Sequence, residues 1–335
     1  MITMLDVAKK AGVSKATVSR VLNGKNIVSD AVKELVYRAI EETGYRPNLL
    51  ARQMATQKTN LLGLIMTNGL YNGPYFSSFV YAAASFSETY QHQLMLADGK
   101  HSADDERRAI DFLLDMRCAG ILIYPEYLSG DELAEIIAKN QTPIVVINRQ
   151  LPGNDSDYVV MDHYQSAQAM MDYILSQGHR RIAFIQGRAH SPSGQARFSA
   201  YLDKLKEYGI EPDEQLIVPG DWSTESGYLA GKTLLSRNVP FTVILAGNDD
   251  MATGAMRALR EAKLRIPEDV SIAGFDNSTM SRYSYPSLTT VNVPIRAMVE
   301  QAILHLLGEP PAATTQAIEG ELIVRDSVGV PQMNA

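Results

Sequence analysis

The apolar positions change rhythm once along the chain. Before residue 45 they recur at helical spacing: Leu5 and Ala8, then Val18, Val21 and Leu22, then Val32, Val36, Ala39 and Ile40. Positions three and four apart share one face of an α-helix, so three short helices are expected here. From residue 61 short apolar runs alternate with amphipathic stretches. Strands are expected at 61–66, 93–97, 120–124, 144–147 and 158–161, and again at 181–186, 214–218, 242–246 and 271–274. Helices fill the gaps, at 104–116, 130–140, 164–177, 196–208, 225–237 and 251–263. Strand–helix alternation argues parallel sheets covered by helices. Two such sets in succession argue two similar lobes, and the last segments, 289–294 and 321–324, do not begin a third. Open sheets of this kind bind ligands beyond the carboxyl ends of their strands, which aims loops of both lobes at one cleft.

The polar positions between the first helices are as informative as the apolar ones. Thr3 and Asp6 form a capping pattern, Gly12 suits a left-handed C-terminal cap, and Val13 plugs the turn. Ser14 caps a second helix whose other face shows Lys15, Ala16, Thr17, Ser19 and Arg20, while Ala8 is small where the two helices cross. This is a helix-turn-helix, whose second helix enters the DNA major groove. An ordinary helical hairpin with a solvated basic face is the alternative; two caps, the turn glycine and the polar face together favour DNA. Ser29 and Gly44 bracket the third helix. Beyond it, Pro47 fits a first helical turn and 48–55 are good helix formers, followed by a polar linker at about 56–60. A helix that short is marginal in water without a partner.

Charge sharpens the division. Residues 1–60 hold ten Lys/Arg against five Asp/Glu, whereas the remainder holds 21 against 33, for a net charge of −7. A basic head on an acidic body suits a DNA reader. The single cysteine, Cys118, excludes an internal disulfide and fits a reducing compartment. With no signal-peptide pattern and no apolar stretch of membrane-spanning length, a cytoplasmic protein is expected.

Several polar and aromatic residues fall just past strand ends: the stretch 67–76, Asn148 and Arg149, Asp221 and Trp222, Asn248 and Asp249, and Asp276, with Arg197 beyond the loop that follows residue 186. Asp, Asn and Arg make the paired hydrogen bonds that sugar hydroxyls need, and aromatic rings cover sugar C–H faces. Taken singly each residue is more simply a cap or turn former; their recurrence at successive strand ends favours a sugar site. Rival signals are weak. Gly231-Lys232-Thr233 resembles the end of a phosphate-binding loop but follows no strand, and the histidines lack metal-ligand spacing. No nucleophile elbow is present, so neither enzyme activity nor a metal or cofactor is expected.

The run DVAKKAGVSKATVSRVLN, Asp6–Asn23, resembles the signature of the LacI/GalR family of bacterial transcription repressors, and the likeness runs to the C-terminus. The resemblance implies an α/β protein with an N-terminal all-α helix-turn-helix headpiece (1–46), a hinge helix and linker (47–60) and a two-lobed periplasmic-binding-protein-like core (61–335) with parallel sheets. The first lobe would span about 61–161 and 291–322, the second about 162–290 and 323–335. It implies a homodimeric repressor on operator double-stranded DNA, controlled by a small sugar effector, with a β-glucoside as the specific expectation. Residues expected at DNA are Thr3, Ser14, Lys15, Ala16, Thr17, Ser19, Arg20, Asn23, Asn48 and Met54, the last standing where the family carries a wedging leucine. Those expected at the ligand are Tyr71, Phe76, Asn148, Arg197, Trp222, Asn248 and Asp276. Val293 is apolar where some sugar repressors are polar. The rival reading is a sugar-binding transport or chemosensing protein on the same core, against which the 60-residue basic head argues.

Overall fold

The computed structural model describes residues 2–22, 28–45, 59–67, 73–153, 156–309 and 317–332. The chain forms two compact units, Met1–Thr59 and Asn60–Ala335. In the first, α1 (Met4–Ala11), α2 (Lys15–Leu22) and α3 (Asp30–Thr43) pack around Val7, Ala8, Val18, Val21, Val36 and Ala39. The Asp6 carboxylate accepts hydrogen bonds from the Thr3 N–H (2.8 Å) and hydroxyl (2.7 Å), closing the first turn of α1. Gly12 (φ +66°) and Gly44 (φ +65°) end α1 and α3 in the left-handed region, where glycine carries no Cβ penalty. Ser14 Oγ accepts the Thr17 N–H at 3.0 Å and so starts α2.

Two expectations need correction. Leu5 is half exposed, and the buried seam of α1 runs through Val7 and Ala8, with Met4 and Ala11 partly buried. At 3.6 residues per turn Leu5 is rotated off that seam, and one apolar pair did not fix the face. Ser29 stands at the N-cap of α3 but gives it no side-chain hydrogen bond; its backbone carbonyl takes the N–H groups of Val32 and Lys33. The expected hinge helix lies outside the described residues.

The second unit holds two sheets. The first has the order β2-β1-β3-β4-β5, all parallel, from β1 (Leu61–Met66), β2 (Gln93–Asp98), β3 (Gly120–Tyr124), β4 (Ile144–Ile147) and β5 (Tyr158–Val159). Its helices are α4 (Pro74–Thr89), α5 (Ala103–Asp115) and α6 (Gly130–Lys139). The second sheet has the order β11-β10-β9-β8-β6-β7, from β6 (Ile182–Gln186), β7 (Ile217–Pro219), β8 (Val243–Ala246), β9 (Ser271–Asp276), β10 (Thr289–Asn292) and β11 (Glu321–Ile323). Only β11 runs antiparallel to its neighbour. Its helices are α7 (His163–Ser176), α8 (Pro192–Glu207), α9 (Thr224–Ser236), α10 (Asp249–Glu261) and the short α11 (Thr279–Tyr283). After β10 the chain returns to the first lobe, where α12 (Ile295–Leu306) packs on α4 and on β3 to β5.

Central strands are covered on both faces and read as continuous apolar runs: Leu62, Leu64, Ile65 and Met66 of β1 are fully buried. Three local differences from expectation stand out. Residues 214–216 form a 3₁₀ turn, so β7 starts only at Ile217. The strand expected at 158–161 is cut to Tyr158–Val159, with Met161 bridging separately to Ile318. Residues 74–76, expected in a loop, are the first turn of α4, opened by Pro74 at a position that needs no N–H donor. Gly231-Lys232-Thr233 lies inside α9, and Gly231 packs against Ala255 and Ala258 of α10; it is a helix contact rather than a phosphate-binding turn.

Candidate functional site

The strand ends of both lobes meet in a cleft of about 1050 Å³, counting its open mouth. Of the residues expected at the ligand, Asn148, Arg197, Trp222, Asn248 and Asp276 line it. Tyr71 lies outside the described residues. Phe76 is not among the residues lining the cleft; it and its neighbour Tyr75 both pack against the hydrophobic core, and Tyr75 also lines the cleft. Adjacent residues of a helix point about 100° apart, so the start of α4 decides which aromatic is presented. Val293 is buried in the core and does not line the cleft.

A hydrogen-bonded chain crosses the cleft floor from lobe to lobe. Asn148, just past β4, donates Nδ2 to Tyr124 Oη at 2.8 Å, and its Oδ1 lies 2.6 Å from His163 Nε2. The other imidazole nitrogen, Nδ1, is 3.4 Å from Arg197 Nη2. Arginine only donates, so Nδ1 accepts and the proton sits on Nε2, aimed at Asn148. Burial, and then the Arg197 charge, hold His163 well below the ordinary imidazole range, which keeps it neutral. Arg197 Nη1 donates to the Gly247 carbonyl at 2.6 Å, and Nη2 stands 3.5 Å from Asp276 Oδ1. Its guanidinium lies over the rings of Phe275 (4.5 Å to the centroid) and Trp222 (5.8 Å). Its Nε is buried with no hydrogen-bond partner among the described residues, a donor that a ligand oxygen would satisfy.

Burial pushes the Asp276 carboxyl up to about 8; Arg197 opposes this, while Asp249 and Asp250 reinforce it. The net direction is upward, because burial penalises the carboxylate more than one arginine at 3.5 Å stabilises it. Asp250, also at the cleft, is raised to about 6 by burial.

Backbone strain marks the same residues. Asn148 (φ +61°), Trp222 (φ +77°) and Asp276 (φ +108°) all occupy the positive-φ region that side chains with a Cβ rarely adopt. Strain of this kind clusters where the chain must aim a side chain, here into the cleft. The Trp222 indole is slotted between glycines: a Cβ on Gly187 would overlap the ring, and one on Gly194 or Gly247 would stand 3.2 or 3.1 Å from it. Asn248 caps α10 through Oδ1, which accepts the Met251 N–H at 2.9 Å, and its Nδ2 holds the Trp222 carbonyl at 3.0 Å. It is thus committed to shaping the site, with part of its amide left for a ligand.

Tyr75, Tyr124, His163 and Arg188 line the cleft without having been singled out in the sequence. Tyr124 ends β3, so the strand-end rule that found Asn148 would have found it too. His163 opens α7 and Tyr75 opens α4; only the helix orientation shows that either faces inward.

On the headpiece, Lys15, Ala16 and Arg20 are exposed on one face of α2, with Ser14 at its cap. Thr17 and Ser19 are half-buried, and the Thr17 and Ser14 hydroxyls bond each other at 2.9 Å. Thr3 is exposed but its hydroxyl serves the cap. Asn23, Asn48 and Met54 lie outside the described residues. Among the described residues no cluster of His, Cys, Asp and Glu is arranged to hold a metal ion, and no helix is long and apolar enough to cross a membrane.

Comparison with known proteins agrees in both units. Residues 3–48 match the bacterial regulatory proteins of the lacI family, and residues 171–328 match the periplasmic binding protein-like domain. The chain is 45% identical over 334 residues to the HTH-type transcriptional regulator AscG of Escherichia coli (strain K12), covering 99% of each. It is similar to the crystal structure of the lac repressor dimer bound to operator and the anti-inducer ONPF, with a TM-score of 0.86 and 27% identity over 98% of this chain and 99% of that one. It is likewise similar to the structure titled transcriptional regulator CelR–cellobiose complex, with a TM-score of 0.70 and 31% identity over 98% of this chain and 100% of that one.

Proposed function

The chain belongs to the LacI family of bacterial transcriptional regulators, and from that premise we propose that it is a cytoplasmic, homodimeric repressor of a sugar-utilisation operon. Its operator affinity is set by a small sugar, a β-glucoside, bound between the two lobes. The observation that carries this reading is the separation of labour. One unit presents an exposed Lys15–Ala16–Arg20 face on a helix-turn-helix, and the other holds a buried arginine beside a carboxyl and an aromatic wall in a cleft between two lobes. Arg20 can take the O6 and N7 of guanine in two hydrogen bonds, and Ala16 can touch a thymine methyl. Trp222 and Tyr75 offer ring faces to sugar C–H groups, while Arg197, Asn148 and Asp276 offer donors and acceptors to hydroxyls. Cellobiose, the ligand in the CelR structure, is itself a β-glucoside and supports that class of effector. A transport-type binding protein would have the cleft without the headpiece, and no reaction follows from the cleft geometry.

The test is separability. Arg20→Ala should lose specific operator binding by about 1–3 kcal/mol per bidentate contact, in fluorescence anisotropy against random DNA at one salt concentration, and keep sugar binding. Arg197→Ala should keep operator binding and lose sugar binding in calorimetry. Full sugar affinity in the Arg197 variant would place the effector elsewhere.

A further inference from the structure

Three arginines line the cleft. Arg197 lies against Asp276 and the Gly247 carbonyl. Arg149, just past β4 in the first lobe, donates Nη2 to the backbone carbonyl of Glu126 at 3.3 Å. Its Nε is buried without a hydrogen-bond partner, and among the described residues it forms no ion pair. The Glu106 carboxylate beneath this loop is already taken: it accepts the N–H groups of Glu126 (2.7 Å), Tyr127 (3.2 Å) and Leu128 (2.8 Å). From the second lobe, Arg188 sends Nη1 across the cleft to Glu126 Oε1 at 3.4 Å and Nε to the Asp221 carbonyl at 3.2 Å. The Asp221 carboxylate is occupied by the Ser223 N–H and hydroxyl.

Glu126 is therefore held between one arginine from each lobe, by its carbonyl on one side and its carboxylate on the other. Its ion pair is long; charge-assisted pairs in good geometry close to about 2.7–2.9 Å. Sugar hydroxyls can accept from a guanidinium, but an anion with several oxygens adds charge to each such bond and can take a guanidinium in fork geometry, and Glu126 marks a place that one arginine of each lobe reaches. We propose that the effector is an anionic sugar, a glycoside carrying a phosphate or a carboxylate, whose charged group displaces the Glu126 carboxylate from Arg188 and is shared with Arg149 beside it. This rests on the sugar reading above and names the chemistry of that site more closely. Because the two arginines belong to different lobes, the anion also ties the lobes together.

Calorimetry on the full chain at one low ionic strength tests this with three probes: phenyl β-glucoside, its 6-phosphate, and phenyl β-glucuronide. One of the two anionic probes should bind at least about tenfold more tightly than the neutral parent, a difference of about 1.4 kcal/mol. Preference for the 6-phosphate identifies a phosphorylated effector, and preference for the glucuronide a carboxylate. The gap should close in Arg149→Met and Arg188→Met. In Glu126→Gln the preferred anion should bind more tightly than in the parent protein, a gain that misfolding cannot produce. Equal affinity for the neutral probe, or a gap that survives both arginine substitutions, overturns the proposal while leaving the sugar reading intact. No binding of any of the three overturns the sugar reading, and this proposal with it.

Discussion

Asp276 shows how one residue ties the site to stability. Its carboxyl rises from 3.8 to about 8 on burial, so the folded core binds a proton that the unfolded chain has lost across that interval. The sign follows from linkage: where the native state holds more protons, stability falls as pH rises. The contribution is fully present below the unfolded value and is gone above about 8. His163 and His179, both held low by burial, act the other way, but only below the ordinary histidine value of 6.5. Between pH 6.5 and 8 the Asp276 effect therefore stands largely clear of them. The core's melting temperature should fall by a few degrees over that window, and Asp276→Asn should flatten the slope. An unchanged slope in the variant would mean that Asp276 is ionised in the folded protein throughout. At this scale the sequence was legible where a residue sits just past a strand, as with Asn148, Trp222, Asn248 and Asp276. It was not legible where a helix start sets the direction, as with Tyr75 against Phe76, because a shift of one residue turns the side chain by more than a quarter circle.

Among the elements, α9 and α10 cross closely. Gly227, Gly231 and Gly254 lie in the crossing, and a Cβ on Gly254 would run into the backbone of Thr224 and Tyr228. Alanine gains about 1 kcal/mol of helix propensity over glycine, but overpacking costs about 1–3 kcal/mol, and a clash with backbone cannot be relieved by a rotamer. Gly254→Ala should therefore lose about 2 kcal/mol in urea unfolding, and a gain in stability would show that the helices have room. Asn248 caps α10 and holds the Trp222 carbonyl, so the same change should also disturb the cleft. The alternation of strands and helices was readable because buried parallel strands are unbroken apolar runs. The face of α1 was misread at Leu5 because one apolar pair is compatible with two neighbouring seams. The start of α4 was hidden by a glycine- and aromatic-rich stretch whose helical signal begins only at Pro74.

For the whole molecule the two units divide recognition between them, and a regulator requires that they share free energy. Coupling between two sites is reciprocal: whatever factor the effector imposes on operator affinity, the operator must impose on effector affinity. The most direct test measures operator binding by anisotropy with the effector absent and saturating, and effector binding by calorimetry with operator absent and saturating. The account predicts the same factor in both experiments, within the roughly 5–150-fold range usual for such coupling, and a factor of one in Arg197→Ala. An effector that binds the cleft of the parent protein while operator affinity stays the same would contradict it.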